Sequence, residues 1–137
     1  MRVNNIRLIR RKYFNSHKGQ VLKYISKKEK FFKGFGEIYF NRIYNKKIKG
    51  WILHKKNTCI FYCVVGVVKF HFIDGLGKEK KIVLKEKSSK IILVPPKIWF
   101  SIESKKKSST VANLISIPHN DKEVIKSEKV KSYTIKN

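Results

Sequence analysis

His54 and Tyr39 are candidates for moving protons; the other readings are a polar contact to a sugar or a water for His54 and an aromatic core residue for Tyr39. A histidine changes charge near neutral pH and can serve as a general base, while a tyrosine phenol can act as the matching acid. Tyr62 is the alternative partner for His54. On a regular strand, residues two apart face the same side. His54 therefore shares a face with Ile52, and Tyr39 shares one with Glu37. Cys59 and Cys63 are the remaining reactive types. Four apart on a strand, their Cα atoms lie roughly 13 Å from each other, beyond the reach of about 7 Å that a disulfide allows. No second Cys or His pair is spaced to complete a zinc site. They read as two reduced core cysteines of a cytoplasmic protein.

These side chains need a scaffold, and strand signals dominate the chain. The stretches 37–44, 48–53, 59–65, 67–73, 81–85, 91–94, 98–102 and 110–117 are short, rich in β-branched and aromatic residues, and separated by turn residues. Gly66 breaks one pair as a bulge or tight turn. Asp74-Gly75 opens another turn. Pro95-Pro96 stops a strand, because proline cannot continue a central ladder, and sends Trp99 and Phe100 back into the structure at the mouth of a barrel. Only Asp121 to Lys126 reads as a short helix. The expected organisation is one antiparallel domain over 1–126 with a polar tail over 127–137.

Composition narrows the function. Hydrophobic residues make up 42% of the 137, enough for a core. No stretch approaches the ~18 apolar residues of a membrane span, and the basic N-terminus is not followed by an apolar secretion signal. The net charge of +24 comes mostly from lysine. Phosphate and base recognition favours the arginine fork, and the lysine runs 78–81 and 105–107 fall at or beside turns. A solvated surface is the first reading of that charge, with nucleic acid or another anionic partner as the alternative.

Several ordered pieces carry a resemblance. They are Phe35-Gly-Glu-Ile-Tyr-Phe40, Ile48-Lys-Gly-Trp51 with His54-Lys-Lys56, the strand 67–74 after Gly66, Val94-Pro-Pro-Lys-Ile-Trp99, and Val111 to His119 followed by Glu123-Val-Ile125. Asn15 to Gly19 matches a further turn loosely. Over roughly residues 8 to 126 the chain resembles the dTDP-4-dehydrorhamnose 3,5-epimerases of deoxysugar and polysaccharide biosynthesis. The resemblance implies an all-β cupin jelly roll, usually a homodimer, that uses neither metal nor organic cofactor. It implies a dTDP-linked 4-keto-6-deoxysugar as ligand. The protons flanking the ketone are acidic because the carbanion delocalises onto the carbonyl, so a histidine held by a carboxylate takes one and a tyrosine returns one.

The chain departs from that pattern at the catalytic positions. Ile52 stands where the base is expected, Phe100 replaces a second histidine, and Asn113 aligns with the acid tyrosine. The carboxylate partner belongs to a C-terminal segment that the chain is expected to lack. Lys18 and Lys49 occupy places for diphosphate and sugar contacts, and Glu37 and His119 complete the expected binding set. Lys49 is three residues from Ile52, so a kink at Gly50 is needed to bring both to one site. A metal bound by His54 is disfavoured, since Ile52, Asn57 and Phe100 occupy its neighbourhood. Three readings follow: a nucleotide-sugar-binding cupin with weakened, altered or lost catalysis; an active epimerase or ketoisomerase using His54; and a non-catalytic basic binding protein.

Overall fold

The structure is a computed structural model and describes residues 1–128. Among them are the strands β1 (Arg7–Arg10), β2 (Tyr13–Ser16), β3 (Gly19–Leu22), β4 (Glu37–Tyr44), β5 (Ile48–His54), β6 (Cys59–Val65), β7 (Val67–Ile73), β8 (Glu79–Lys85), β9 (Lys90–Val94), β10 (Trp99–Ser104), β11 (Ser108–Ile115) and β12 (Val124–Lys126). Two antiparallel five-stranded sheets form the body, in the orders β1-β9-β6-β11-β4 and β12-β5-β10-β7-β8. They face each other as the two halves of a jelly roll. β2 and β3 make a separate hairpin.

The chain changes sheets where its turn residues stand. Gly66, at φ +89°, separates β6 in one sheet from β7 in the other. A Cβ there would lie 2.9 Å from the Ser108 carbonyl oxygen and against Ser109 Oγ, so glycine is needed for the close approach as well as the backbone angle. Pro95-Pro96 performs the same switch between β9 and β10.

Between the sheets lies the core, built on Phe61, Phe70, Phe72, Ile92, Val94, Ile98, Ile102, Val111 and Ile115. A second cluster lies behind the first sheet. There Ile60, Tyr62, Ile91, Leu93, Ala112 and Leu114 are covered by Leu22, Tyr24, Ile25, Phe31 and Phe32. Tyr24 fastens this cover: its hydroxyl donates to the Ile60 carbonyl and accepts from the Leu114 N–H at 3.1 Å. Two covered faces explain why β6 reads as an unbroken apolar run while β7, with one face outward, alternates.

Two expectations are corrected. Asp121 to Lys126 is not a helix: Asp121–Glu123 is one 3-10 turn capped by the Asn120 side chain, and Val124–Lys126 pairs with His54, Leu53 and Ile52 of β5. Ser127, placed at the start of the polar tail, exchanges two backbone hydrogen bonds with Trp51, at 2.6 and 2.9 Å. The rest of that tail, from residue 129, lies outside the described residues. The sequence signals also missed β1, β2 and β3, each four residues long. Among the described residues no helix is long and apolar enough to cross a membrane.

Candidate functional site

A cavity of about 340 Å³ opens between the two sheets at one end of the barrel. That is within the range of small-molecule sites. β4 supplies Glu37, Tyr39 and Asn41, β11 supplies Asn113, and β6 supplies Phe61. From the facing sheet come Lys49, Ile52 and His54 on β5 and Phe100 and Ile102 on β10. His119, Val124 and Lys126 close the C-terminal side.

The local geometry of β5 sets much of this wall. Opposite β10, Phe100 pairs with Ile52 and Ser101 with Gly50, so Trp51 is an extra residue and the register shifts. Gly50 has φ +141°, and a Cβ there would meet Ser101 Cα at 2.8 Å. This bulge is the kink needed for Lys49 and Ile52 to share the cavity despite their odd spacing. Lys49 Nζ donates to Asn41 Oδ1 at 3.0 Å.

His54 is buried, and its ring lies parallel to that of Phe100 with centroids 6.1 Å apart. Its Nδ1 is 2.9 Å from Glu123 Oε2. Glu123 also accepts N–H bonds from Lys56 at 2.9 Å and Asn57 at 2.8 Å on Oε1, and from Asn57 Nδ2 at 3.3 Å on Oε2. Burial pushes this carboxyl up, but the hydrogen bonds from Lys56, Asn57 and His54 outweigh it and hold it below the ordinary range. An ionised carboxylate only accepts, so the proton of a neutral His54 sits on Nδ1. Nε2 is then the ring nitrogen left for the cavity. The sequence leads to the expectation of no carboxylate from a C-terminal segment; the structure places Glu123, within the short segment after β11, against His54.

On the opposite wall, Asn113 Nδ2 donates to the Tyr39 hydroxyl at 3.1 Å. Asn113 therefore stands beside a tyrosine, and the phenol proton is free to point elsewhere. Burial is the main reason the Tyr39 phenol is pushed up to about 12, so it stays protonated at neutral pH. Glu37 Oε1 accepts the His119 backbone N–H at 3.0 Å, and His119 Nε2 lies 2.8 Å from Asp121. Cys59, beneath Tyr39 and Asn113, is a buried free thiol pushed up by burial to about 12.

Of the sequence-derived site residues, Tyr39, His54, Glu37, Lys49 and His119 line the cavity together with Ile52, Phe100 and Asn113. Lys18 does not. It lies on the β2–β3 hairpin, in a shallow depression with Phe14, Asn15, Gly19 and Val21. Tyr62 is on the outer face of β6 against Tyr24, ring centroids 5.3 Å apart, and cannot pair with His54. Glu123 and Asn57 were missed as site residues. The available signal was scarcity, since the chain has only 9 acidic residues against 33 basic ones. Among the described residues no three His, Cys, Asp or Glu side chains gather as a metal site.

Comparison with known proteins agrees with this architecture. The two facing antiparallel sheets and the cavity between them are those of a divergent cupin of the type found in dTDP-4-dehydrorhamnose 3,5-epimerases. Residues 4–134 match the family described as FdtA: WxcM-like, C-terminal, and the chain belongs to that family. A dTDP sugar isomerase from Desulfovibrio desulfuricans G20 superposes with TM-score 0.86 at 25% identity, covering 91% of this chain and 85% of that one. QdtA, a sugar 3,4-ketoisomerase from Thermoanaerobacterium thermosaccharolyticum solved in complex with TDP, gives 0.81 at 20% identity over 92% and 90%. A dTDP-6-deoxy-D-glucose-3,5-epimerase from Legionella pneumophila Philadelphia 1, in complex with dTDP-4-keto-L-rhamnose, gives 0.83 at 11% over 92% and 74%. No match to the sequence was found among curated proteins.

Proposed function

We propose that this protein is an active ketoisomerase of a dTDP-linked 4-keto-6-deoxysugar, with His54 as its base. The observation that carries this is the His54–Glu123 pair: a buried imidazole in the cavity wall, with Nδ1 fixed by a carboxylate that is itself fixed by three other N–H donors. Ile52 and Phe100, the positions that suggest weakened, altered or lost catalysis, line the same cavity as His54 and give it apolar surroundings.

The chemistry balances without an external oxidant or reductant. His54 Nε2 takes the proton from the carbon next to the ketone. The electron pair forms a carbon–carbon double bond, and the ketone oxygen takes the Tyr39 proton to give an enediol. The imidazolium then returns its proton to the former carbonyl carbon, while the neighbouring hydroxyl gives its proton to the Tyr39 phenolate and becomes the new ketone. His54 and Tyr39 project from facing sheets, as a base and an acid on two sides of a sugar require. One base serving two adjacent carbons fits a 3,4-shift better than inversion at carbons on both sides of the ketone. Lys49 and Lys126 provide positive charge for the diphosphate, and Glu37 and His119 provide polar contacts at the mouth.

Lys18 belongs to this site only if a second copy supplies it. Among the described residues the β2–β3 hairpin pairs with no other strand, and it exposes Tyr13, Phe14 and Val21. A homodimer that buries the hairpin would cover them. Its size in solution by light scattering tests this, a monomer at working concentration refuting it. A cytoplasmic location suits an enzyme with two reduced thiols.

The deciding experiment incubates the protein with dTDP-4-keto-6-deoxyglucose in heavy water and follows the sugar by NMR. Formation of a 3-keto isomer that is lost in His54→Asn supports the reading. Binding of dTDP without turnover or exchange returns the protein to the non-catalytic nucleotide-sugar reading. Binding of nucleic acid that weakens steeply with salt, without dTDP binding, supports the third.

A further inference from the structure

We infer that Asn57 is a positioning residue: by clamping Glu123 it holds His54 in the tautomer that leaves Nε2 bare toward the cavity. The inference rests on His54 being the base, as proposed above. Asn57 is only 1% exposed, in the turn between β5 and β6. Its Oδ1 accepts from the Ile117 N–H at 2.7 Å and from Ser116 Oγ at 3.0 Å. A backbone N–H can only donate, so the oxygen end of the amide must face Ile117. The nitrogen end is thereby forced toward Glu123, where Nδ2 meets Oε2 at 3.3 Å.

Asn57 thus bonds both oxygens of the carboxylate, through its backbone N–H on Oε1 and its amide on Oε2. Glu123 sits on a turn of only three residues and has a free terminal torsion. Without the Asn57 amide, the one side chain left on Oε2 is His54 itself, and the carboxylate is held only at Oε1, by the backbone N–H groups of Lys56 and Asn57. The clamp also reaches the mouth. Ile117 leads to His119, whose N–H binds Glu37 at the start of the neighbouring strand β4. A buried asparagine that merely satisfied turn backbone would need only its oxygen end. Here the nitrogen end is spent on the carboxylate that orients the base.

The test uses ¹⁵N-histidine-labelled protein and reads the ring nitrogens of His54 by NMR, beside steady-state kinetics. The first variant is Asn57→Asp, which keeps both bonds from Ser116 and Ile117 but sets an oxygen against Glu123 Oε2. The second is Ser116→Ala, which loosens the amide by one bond and serves if the first does not fold. We expect the wild type to show a protonated Nδ1 and a bare Nε2. In Asn57→Asp that pattern should change, kcat should fall roughly tenfold and KM should stay within about twofold. Ser116→Ala should show the same change at smaller amplitude. A wild-type ring pattern in a folded variant overturns the inference, as does a changed pattern with unchanged kcat. If the wild type shows no turnover, the catalytic reading fails, and the ring pattern alone still decides whether Asn57 sets the tautomer.

Discussion

Two histidine–carboxylate pairs involve histidines of the same sheet, and only one of those histidines lies in the cavity wall. His54–Glu123 on the inner face and His71–Glu79 on the outer face have similar contacts, 2.9 and 2.7 Å. Their strands, β5 and β7, both flank β10. The difference lies in the surroundings. The side chains of the inner pair are 6% and 8% exposed, those of the outer pair 23% and 49%. Glu123 accepts three N–H bonds besides that of His54, whereas no second hydrogen bond to the Glu79 carboxylate occurs among the described residues. His71 packs instead against the edge of Trp51, 4.9 Å away. An exposed pair of this kind contributes about 0–1 kcal/mol and is screened by salt. The proposed role of His54 as a base rests on a carboxylate held by several donors and on a histidine in the cavity wall.

That contrast can be broken in several ways. The largest expected effect is His54→Asn, which should lower turnover of the keto sugar by roughly 10²–10⁴-fold while dTDP binding, read by calorimetry, stays near wild type. Next comes Glu123→Gln. Here kcat should drop by about 10–100-fold, because an amide no longer dictates the His54 tautomer, as in other carboxylate–histidine arrangements. Tyr39→Phe follows, with a loss of roughly tenfold or more in kcat and little change in KM if the phenol is the acid. The smallest effect belongs to the outer pair: His71→Asn should leave kcat and KM within about twofold, and a larger loss would erase the distinction drawn between the two faces.

The same comparison predicts a pH dependence of stability. Glu123 and Asp74 are both held below their ordinary values. In each, burial opposes the shift and hydrogen bonds prevail, for Asp74 those from the backbone of Val3, Lys78 and Leu76. A carboxylate with a lowered folded pKa binds protons less readily folded than unfolded. Its stabilisation is complete above the unfolded value and is lost as pH falls through the folded one. The melting temperature should therefore hold near neutrality and decline below about pH 4.5. Glu123→Gln should decline less steeply over that range.

How much of this was legible depends on how local the signal is. The strands 37–44, 59–65 and 67–73 match their sequence signals because composition and bounding turn residues are written within each segment. The need for a kink at Gly50 was legible for the same reason: strand parity placed Lys49 and Ile52 on opposite faces, and one extra residue resolves it. Tyr62 was not legible as an outer-face residue. β6 is apolar on both sides, so alternation says nothing about which side meets the cavity.

The amino-acid sequence by itself determined the all-β architecture, the breaks at Gly66 and Pro95-Pro96, and the shared face of Ile52 and His54. Each follows from period-two geometry and from glycine and proline constraints that act within a few residues. Only the tertiary structure decided that His54 has a carboxylate. Glu123 is 69 positions away, in a segment whose own pattern suggested a helix. Pairing of β12 with β5 carries Glu123 to His54, and Asn57 then fixes it. Contacts across such a separation are set by packing and by the need of buried polar groups for partners, which no local pattern encodes.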